Sequence, residues 1–439
     1  MEEEARPSKK PRGAPGSGLT GFALRLAKQL ADDEGDGGGK QVNLVFSPVS
    51  INVALALVAA GAKGNTLDEL LALLGAASLD ELAGFVRGVA ESALADRPDG
   101  RGPVVSFACV VWHEKTVTLS PAYRAAAVES YKAVTRAADI LNKPEDAREE
   151  INKCVSKATN RLIKSILPPG SVHCDTRLVL ANALYLKATW SRTEKGTFYR
   201  LDGSRVQARF MSSRRNQFIA QDRGFKVLKL RYKTSYGKQY FSISMCIFLP
   251  DARDGLPSLV KKMAASSSSF LWDSLPSRAV EVGKFRLPKF KLSFASRMND
   301  VLEDMGLKDV FEHGKADMSN MLEEGGRSLV LEHVFHKAVI EVNEEGTEAA
   351  ASTACSIQRE CDSRPRDFVA DHPFAFFLVE ETSRAVIFMG HCKQVVPVAD
   401  HPFAFFVVGE TSSAVIFMDN VLDPKISGQE RDYPRFTVT

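Results

Sequence analysis

The sequence predicts an α+β protein with a helix-rich first half and a strand-rich second half. Amphipathic spacing with helix-cap signals dominates up to Pro168, and short β-branched or aromatic runs bounded by Gly, Pro and Asp follow it. Helices that precede strands are typical of α+β architecture and not of a regular βαβ repeat. With 439 residues, 44% apolar and 25% charged, the chain can build a large packed core.

Cap signals and apolar spacing predict the early helices. Thr66, with Glu69 three residues later, predicts a capping box for a helix that Gly75 ends. Residues 149–167, EEINKCVSKATNRLIKSIL, keep helical spacing up to Pro168. The first predicted helix has its apolar face at Leu19, Phe22, Ala23, Leu26, Ala27 and Leu30.

The second half is predicted to be mainly strands. The predicted strands are RLVLANALYLKATW (177–190), FKVLKLRY (225–232), YFSISMCIFLP (240–250), VGKFRLPKFKLSF (282–294) and SLVLEHVFHKAVIEV (328–342). Between them, RMNDVLEDMG at residues 297–306 predicts one further helix.

A tandem repeat lies near the end of the chain. Residues 369–389 and 398–418 are identical at 18 of 21 positions, with an offset of 29 residues. Each copy predicts a strand hairpin. Two hairpins are too few for a solenoid, so we expect one copy to fill a place in the fold and the other to be surplus.

The ends of the chain and its composition bear on location. Residues 1–18 have nothing to bury and predict a disordered tail without a signal peptide. No run of about 18 apolar residues and no Asn-x-Ser/Thr acceptor occurs, which predicts a cytoplasmic protein with no membrane partner. The cluster Lys9, Lys10 and Arg12 leaves a nuclear location open. The net charge of +3 gives no reason to expect a nucleic-acid partner.

No motif for catalysis or for a cofactor is found in the sequence. Gly-x-Ser-x-Gly, HExxH and Walker patterns are missing, so we expect no enzyme activity, no metal and no cofactor. A hydrolase assembled only by folding stays an alternative, which turnover by the pure protein would reveal. The seven cysteines predict reduced thiols: Cys109, Cys154, Cys174, Cys246, Cys355, Cys361 and Cys392.

One segment has an unusual composition. Small residues run from Thr347 to Ala354, and a polar stretch follows at residues 361–367. A buried helix could use such an alanine run. The Gly346–Thr347 start and the polar continuation favour instead an exposed loop that can become a strand.

Several motifs in order resemble the serpin family, particularly its plant Z-type branch. They are FSPVSINVALALVAAGAKGNTLDEL (46–70), LVLANALYLKATW (178–190), NEEGTEAAASTA (343–354), ADHPF (370–374) and AVIFMG (385–390). The resemblance implies a single serpin domain over residues 19–424 with three β-sheets, followed by a tail at 425–439. We expect a monomer.

The resemblance also implies a mechanism. Residues 344–368 would form an exposed reactive-centre loop that a protease cleaves as a suicide substrate. The hinge would then insert into the main sheet, sheet A, and trap the acyl-enzyme. The hinge residues are Glu344, Glu345, Gly346, Thr347, Glu348, Ala349, Ala350, Ala351, Ser352, Thr353 and Ala354.

The family pattern assigns two further groups of residues. Ser47, Ser50, Asn182 and His336 would form a polar shutter under the sheet. Trp190, Lys337 and Glu344 would lie near the place where insertion begins.

The cleaved bond has two candidate positions. Counting from Gly346 puts the cut between Glu360 and Cys361, whereas plant relatives commonly carry Leu-Arg before the cut, which favours Arg359. Arg359 implies a trypsin-like serine protease or an Arg-specific cysteine protease as partner. Glu360 implies an acid-specific one.

Departures from the family pattern support an alternative, a non-inhibitory serpin that acts as a binding or storage protein. Cys154 stands where relatives usually have Trp, and Asp419 of the second hairpin stands where Gly is usual. We expect the first hairpin copy to occupy the sheet. If the second copy did so, the loop would grow by 29 residues.

Overall fold

The computed structural model describes residues 17–36, 43–92, 104–131, 133–189, 193–236, 239–266, 269–323, 329–343, 365–395, 403–408 and 415–421. Its helices are α1 (Ser17–Asp36), α2 (Pro48–Gly61), α3 (Gly64–Leu74), α4 (Leu79–Ser92), α5 (Pro121–Glu129), α6 (Pro144–Ala158), α7 (Leu256–Ala265), α8 (Phe270–Asp273) and α9 (Asn299–Asp304). A short 3-10 helix follows at Asp309–Phe311. The predicted helix-rich first half is confirmed.

The described strands form three large sheets, as predicted, and one separate hairpin. The five-stranded sheet has the order β12 (Phe290–Arg297), β13 (His333–Asn343), β4 (Leu178–Thr189), β2 (Val104–Glu114), β3 (Val134–Ala138). The seven-stranded sheet has the order β1 (Leu44–Phe46), β16 (Ala385–Cys392), β15 (Phe374–Glu380), β9 (Gln239–Pro250), β8 (Phe225–Tyr236), β7 (Gln217–Asp222), β10 (Ala279–Val280). The four-stranded sheet has the order β14 (Arg366–Val369), β11 (Val282–Pro288), β6 (Arg205–Met211), β5 (Thr193–Tyr199).

The two hairpin copies have different places in the fold. The first copy supplies β15 and β16, which pair with β9 and β1 inside the seven-stranded sheet. The second copy supplies β17 (Phe403–Val408) and β18 (Val415–Val421), which pair with each other as a two-stranded sheet.

Two hydrophobic cores lie on the two faces of the five-stranded sheet. On one face, Ala338 and Ile340 join a core that includes α2 and the seven-stranded sheet. On the other face, Val339 packs in a second core with Ile151 and Val155 of α6. Helix α2 is mostly apolar and is buried along 13 of its 14 residues, as expected for a helix inside a core.

The predicted capping box at Thr66 is wrong. Helix α3 begins at Gly64, and Thr66 Oγ1 accepts a hydrogen bond from the Asp317 N–H at 3.0 Å. Glu69 accepts from the N–H groups of Lys308 and Asp309. Both side chains therefore tie α3 to a distant segment instead of capping their own helix.

Three predicted boundaries also differ from the structure. Helix α1 already includes Ser17 and Gly18, which the sequence places in a tail, and residues 1–16 lie outside the described residues. The predicted strand 282–294 is two strands, β11 and β12, that belong to different sheets. Helix α6 ends at Ala158, because Asn160 and Arg161 take left-handed φ values of 50° and 64°.

Among the described residues, no helix combines the length and the apolar character needed to cross a membrane.

Candidate functional site

The five-stranded sheet has a parallel pair at its centre. Strand β13 runs parallel to β4 in continuous register, from His333 opposite Val179 to Asn343 opposite Thr189. Their outer neighbours, β12 and β2, run antiparallel to them. We call the line between β13 and β4 the seam. The chain leaves β13 at Asn343, at the same end of the seam where β4 ends, and the predicted hinge begins at the next residue.

The four predicted shutter residues meet on the core side of the seam. Ser50 Oγ donates to Asn182 Oδ1 at 2.7 Å, and Asn182 Nδ2 donates to the Ser50 carbonyl at 3.0 Å. His336 Nδ1 lies 2.9 Å from the same Asn182 Oδ1, and the Ser47 N–H donates to His336 Nε2 at 3.1 Å. Asn182 on β4 and His336 on β13 are direct partners across the seam. The cluster therefore joins both strands to the start of α2.

The hydrogen bonds fix the tautomer of His336. Because Nε2 accepts from the Ser47 N–H, the ring hydrogen is on Nδ1 and is donated to Asn182. Complete burial of the imidazole lowers its pKa to about 3. The neutral ring is thus the form that the folded protein holds.

Helix α2 positions the two serines because its first turn is capped locally. Ser47 is the N-cap residue, its Oγ accepts from the Ser50 N–H at 3.1 Å, and Pro48 begins the helix. Both serines are fully buried. The buried polar groups of both serines need these hydrogen-bond partners, and Ser47 and Ser50 take part in both the helix cap and the shutter.

Cys109 extends the shutter to a third strand. It is the direct partner of Asn182 on β2 and is buried. Burial raises the pKa of its thiol to about 12. Sequence reasoning missed this residue, since only the register of β2 against β4 identifies it.

The opposite side of the sheet is covered by α6 and the segment that follows it. Asn152 of α6 is buried, and its Oδ1 accepts from the N–H groups of Ile166 and Leu167 at 2.8 and 2.9 Å. Lys337 Nζ donates to the Ser165 carbonyl at 2.6 Å. These contacts hold residues 165–167 against the sheet next to the seam.

The expected position of Lys337 near the start of insertion is wrong. Lys337 is opposite Ala183 in the middle of the seam, six residues or about 20 Å from Asn343. Alternation along the strand points it away from His336, toward the α6 side. Partial burial lowers the pKa of its ammonium group.

The other predicted site residues lie outside the described residues. They are Trp190, the hinge residues 344–354 and the reactive-bond residues Arg359, Glu360 and Cys361. Within the described part of the chain, no three His, Cys, Asp or Glu side chains are grouped so that they could hold a metal ion.

The family model for serpins, described as serine protease inhibitors, matches residues 17–395. The chain therefore belongs to the serpin family. The match ends before the second hairpin copy begins at Val398.

Relatives with high identity place the chain among plant Z-type serpins. Serpin-Z2A of Oryza sativa subsp. japonica is 56% identical over 409 residues, which cover 85% of this chain and 96% of the relative. Serpin-Z2B of the same organism is 54% identical over 405 residues, with the same coverage of each chain.

Solved structures agree with the fold. The native stressed conformation of Arabidopsis AtSerpin1 matches with a TM-score of 0.78 at 38% identity, and covers 86% of this chain and 97% of its own. Uncleaved ovalbumin matches with a TM-score of 0.71 at 24% identity, a level that supports the fold alone. Family and fold support a general role as a protease inhibitor with target proteases as partners, and serpins are not catalytic enzymes.

Proposed function

We propose that the chain inhibits a serine or cysteine protease by inserting its cleaved hinge into the seam between β13 and β4. The observation that carries this proposal is the parallel pairing of these two strands, with the chain leaving β13 at the end of the seam. After a cut in the loop, the residues that follow Asn343 are free to reverse direction and enter the sheet.

The pairing geometry favours insertion. A strand that returns along β13 runs antiparallel to β13 and also to β4, so two antiparallel pairings replace one parallel pairing. Antiparallel pairs are slightly more stable per residue, and the hinge gains backbone hydrogen bonds that it lacks as a loop. The 11 residues of β13 span about 36 Å, which is the length of strand along which the inserted hinge could pair.

The small hinge residues suit the space that they would enter. One face of the seam is filled by the main core and the shutter, and the other is covered by α6. Ala349, Ala350, Ala351 and Ser352 add little volume to either face, whereas a buried charge would oppose insertion. Slow insertion would let the acyl-enzyme hydrolyse before it is trapped.

The target follows from the residue before the cut. We favour cleavage after Arg359, by a trypsin-like serine protease or an Arg-specific cysteine protease, with the bond between Glu360 and Cys361 as the alternative. Mass spectrometry of the released C-terminal fragment identifies the bond.

The test is to incubate the protein with each protease and to separate the products on a denaturing gel. We expect a covalent adduct with the mass of protease plus cleaved inhibitor. Ala351→Pro removes an N–H from the inserted strand and should turn the inhibitor into a substrate, whereas the matched Ala351→Ser should keep the adduct. Clean loop cleavage of the wild-type chain without an adduct would contradict the proposal and identify a substrate-like binding protein.

A further inference from the structure

The two hairpin copies compete for one place in the seven-stranded sheet, and we propose that a single position decides the outcome. Gly390 admits the first copy, and Asp419 excludes the second. The inference rests on the repeat and on the packing of β16, so it does not depend on whether the chain inhibits a protease.

Gly390 occupies a position where no side chain fits. It is the direct partner of Val45 in the β1–β16 pairing. A Cβ atom there would lie 2.1 Å from the Leu44 carbonyl oxygen, 2.8 Å from Phe376 Cζ and 3.0 Å from Val45 Cα. Two of these atoms are backbone atoms of the neighbouring strand, so a rotamer change cannot relieve the overlap.

The second copy carries Asp at the equivalent place. An offset of 29 residues relates the copies, so Asp419 is the equivalent of Gly390. At the position of Gly390, an aspartate would overlap the Leu44 carbonyl and would also bring a carboxylate against that carbonyl oxygen in a buried strand pair. The steric overlap and the electrostatic repulsion both exclude an aspartate from this position.

A second difference between the copies acts in the same direction. Glu380 of the first copy is buried, and its carboxylate accepts from the N–H groups of Thr382 and Ser383 and from the Ser383 hydroxyl. The equivalent residue of the second copy is Gly409, which offers no such acceptor. The turn between the strands would lose its internal hydrogen bonds if the second copy replaced the first.

The selection has a consequence for the length of the loop. With the first copy in the sheet, the segment between β13 and β14 is residues 344–365. With the second copy in its place, the chain between β13 and the hairpin would gain 29 residues. Position 390 therefore fixes the length of chain between β13 and the hairpin of the sheet.

The test compares two full-length chains that differ only at residue 419. Both carry Gly390→Asp, which disables the first copy, and both carry a second copy matched to the first at its other differing positions. Those shared changes are Val407→Leu, Gly409→Glu, Ser413→Arg, Asn420→His and Val421→Cys. One chain keeps Asp419, and the other has Asp419→Gly.

We measure the thermal unfolding midpoint and the hydrogen exchange of peptides from 374–392 and 403–421. The chain with Asp419→Gly should unfold cooperatively near the wild-type midpoint, with protection moved to 403–421. The chain that keeps Asp419 should lose the cooperative transition. Equal behaviour of the two chains, whether both fold or both fail, would overturn the proposal.

The wild-type chain and single glycine variants give an independent check. In the wild-type protein, we expect the peptides from 374–392 to be strongly protected from exchange and those from 403–421 to be weakly protected. Strong protection of 403–421 in place of 374–392 would overturn the proposal. Gly390→Ala should lower the unfolding midpoint sharply, whereas Gly88→Ala in α4, where a Cβ meets no atom within 4 Å, should not. An unchanged midpoint in Gly390→Ala would also overturn it.

Discussion

Asn182 is the residue on which the shutter depends most. Its amide oxygen accepts from Ser50 Oγ and His336 Nδ1, and its nitrogen donates to the Ser50 carbonyl. These groups are buried, so loss of the amide leaves the His336 ring N–H without its acceptor and removes one hydrogen bond each from the Ser50 hydroxyl and carbonyl.

Asn182→Ala should therefore lower the free energy of unfolding by about 2–4 kcal/mol. Denaturant unfolding measures the change. Asn142→Ala is the matched control, because Asn142 is exposed and its side chain bonds only to the nearby Asp139 carboxylate among the contacts described; it should cost less than about 1 kcal/mol. Equal losses in the two variants would contradict the assignment of the shutter as a buried network.

His336 makes stability depend on pH. Its folded pKa of about 3 is below the ordinary value, so between these values the unfolded chain binds a proton that the folded chain does not. The contribution of His336 to the free energy of unfolding is therefore full above about pH 6.5, and it is lost progressively as the pH decreases toward 3. The buried His391, whose pKa burial also lowers to about 3, acts in the same direction.

His336→Gln should remove about 2 kcal/mol of the stability loss between pH 7 and pH 5. Urea unfolding of both proteins at the two pH values measures it, and the difference between pH values is compared because the substitution also changes stability at pH 7. His391→Gln should remove a similar share. An unchanged pH dependence in His336→Gln would mean that the imidazole already titrates normally in the fold.

The thiols differ in reactivity because they differ in burial. Burial raises the pKa of Cys109, Cys246 and Cys392, whereas Cys174 is exposed. Among the five described cysteines, we expect a thiol reagent to label Cys174 first in the native protein and the three buried thiols only on unfolding. Peptide mass spectrometry over a time course checks this order. Labelling of Cys246 as fast as Cys174 would contradict it.

At the scale of elements, local patterns predicted regular segments well and tertiary contacts poorly. The apolar face of α1 is buried as its spacing predicts. The predicted helix over residues 149–167 is too long, because the chain is left-handed at Asn160 and Arg161 and the Asn152 side chain accepts from the N–H groups of residues 166 and 167. The prediction that the strands follow Pro168 also missed strand β2, which contributes Cys109.

The site was predictable only in part, for a similar reason. The resemblance named Ser47, Ser50, Asn182 and His336, and the structure brings them together. The resemblance could not give the register that places Lys337 in the middle of the seam. That register is set by the pairing of β13 with β4 and not by the residues of β13 alone.

Asn152 is expected to control the cover over the seam. Asn152→Ala removes the acceptor for the Ile166 and Leu167 N–H groups, and two lost bonds of roughly 1 kcal/mol each should speed their exchange by about tenfold or more. Amide hydrogen exchange of residues 159–167 measures it. Lys153→Ala, an exposed change on the same helix, should leave the exchange unchanged. Faster exchange in both variants would point to general fraying of α6.

At the scale of the whole molecule, the proposed insertion concerns the parallel seam of the five-stranded sheet. The cluster of Ser47, Ser50, Asn182 and His336 lies on one face of the seam, and Lys337 bonds to the segment after α6 on the other face. Insertion of the hinge between β13 and β4 would have to separate the continuous pairing of these two strands.

The most direct test of insertion is the heat stability of the chain after its loop is cut. A single cut within residues 355–361, verified by mass spectrometry, should raise the thermal unfolding midpoint, because the hinge then pairs with β13 and β4 as a new strand. Ala351→Pro, cut at the same bond, should show a much smaller rise. An unchanged or lower midpoint in the cut wild-type chain would contradict insertion of the hinge into the seam.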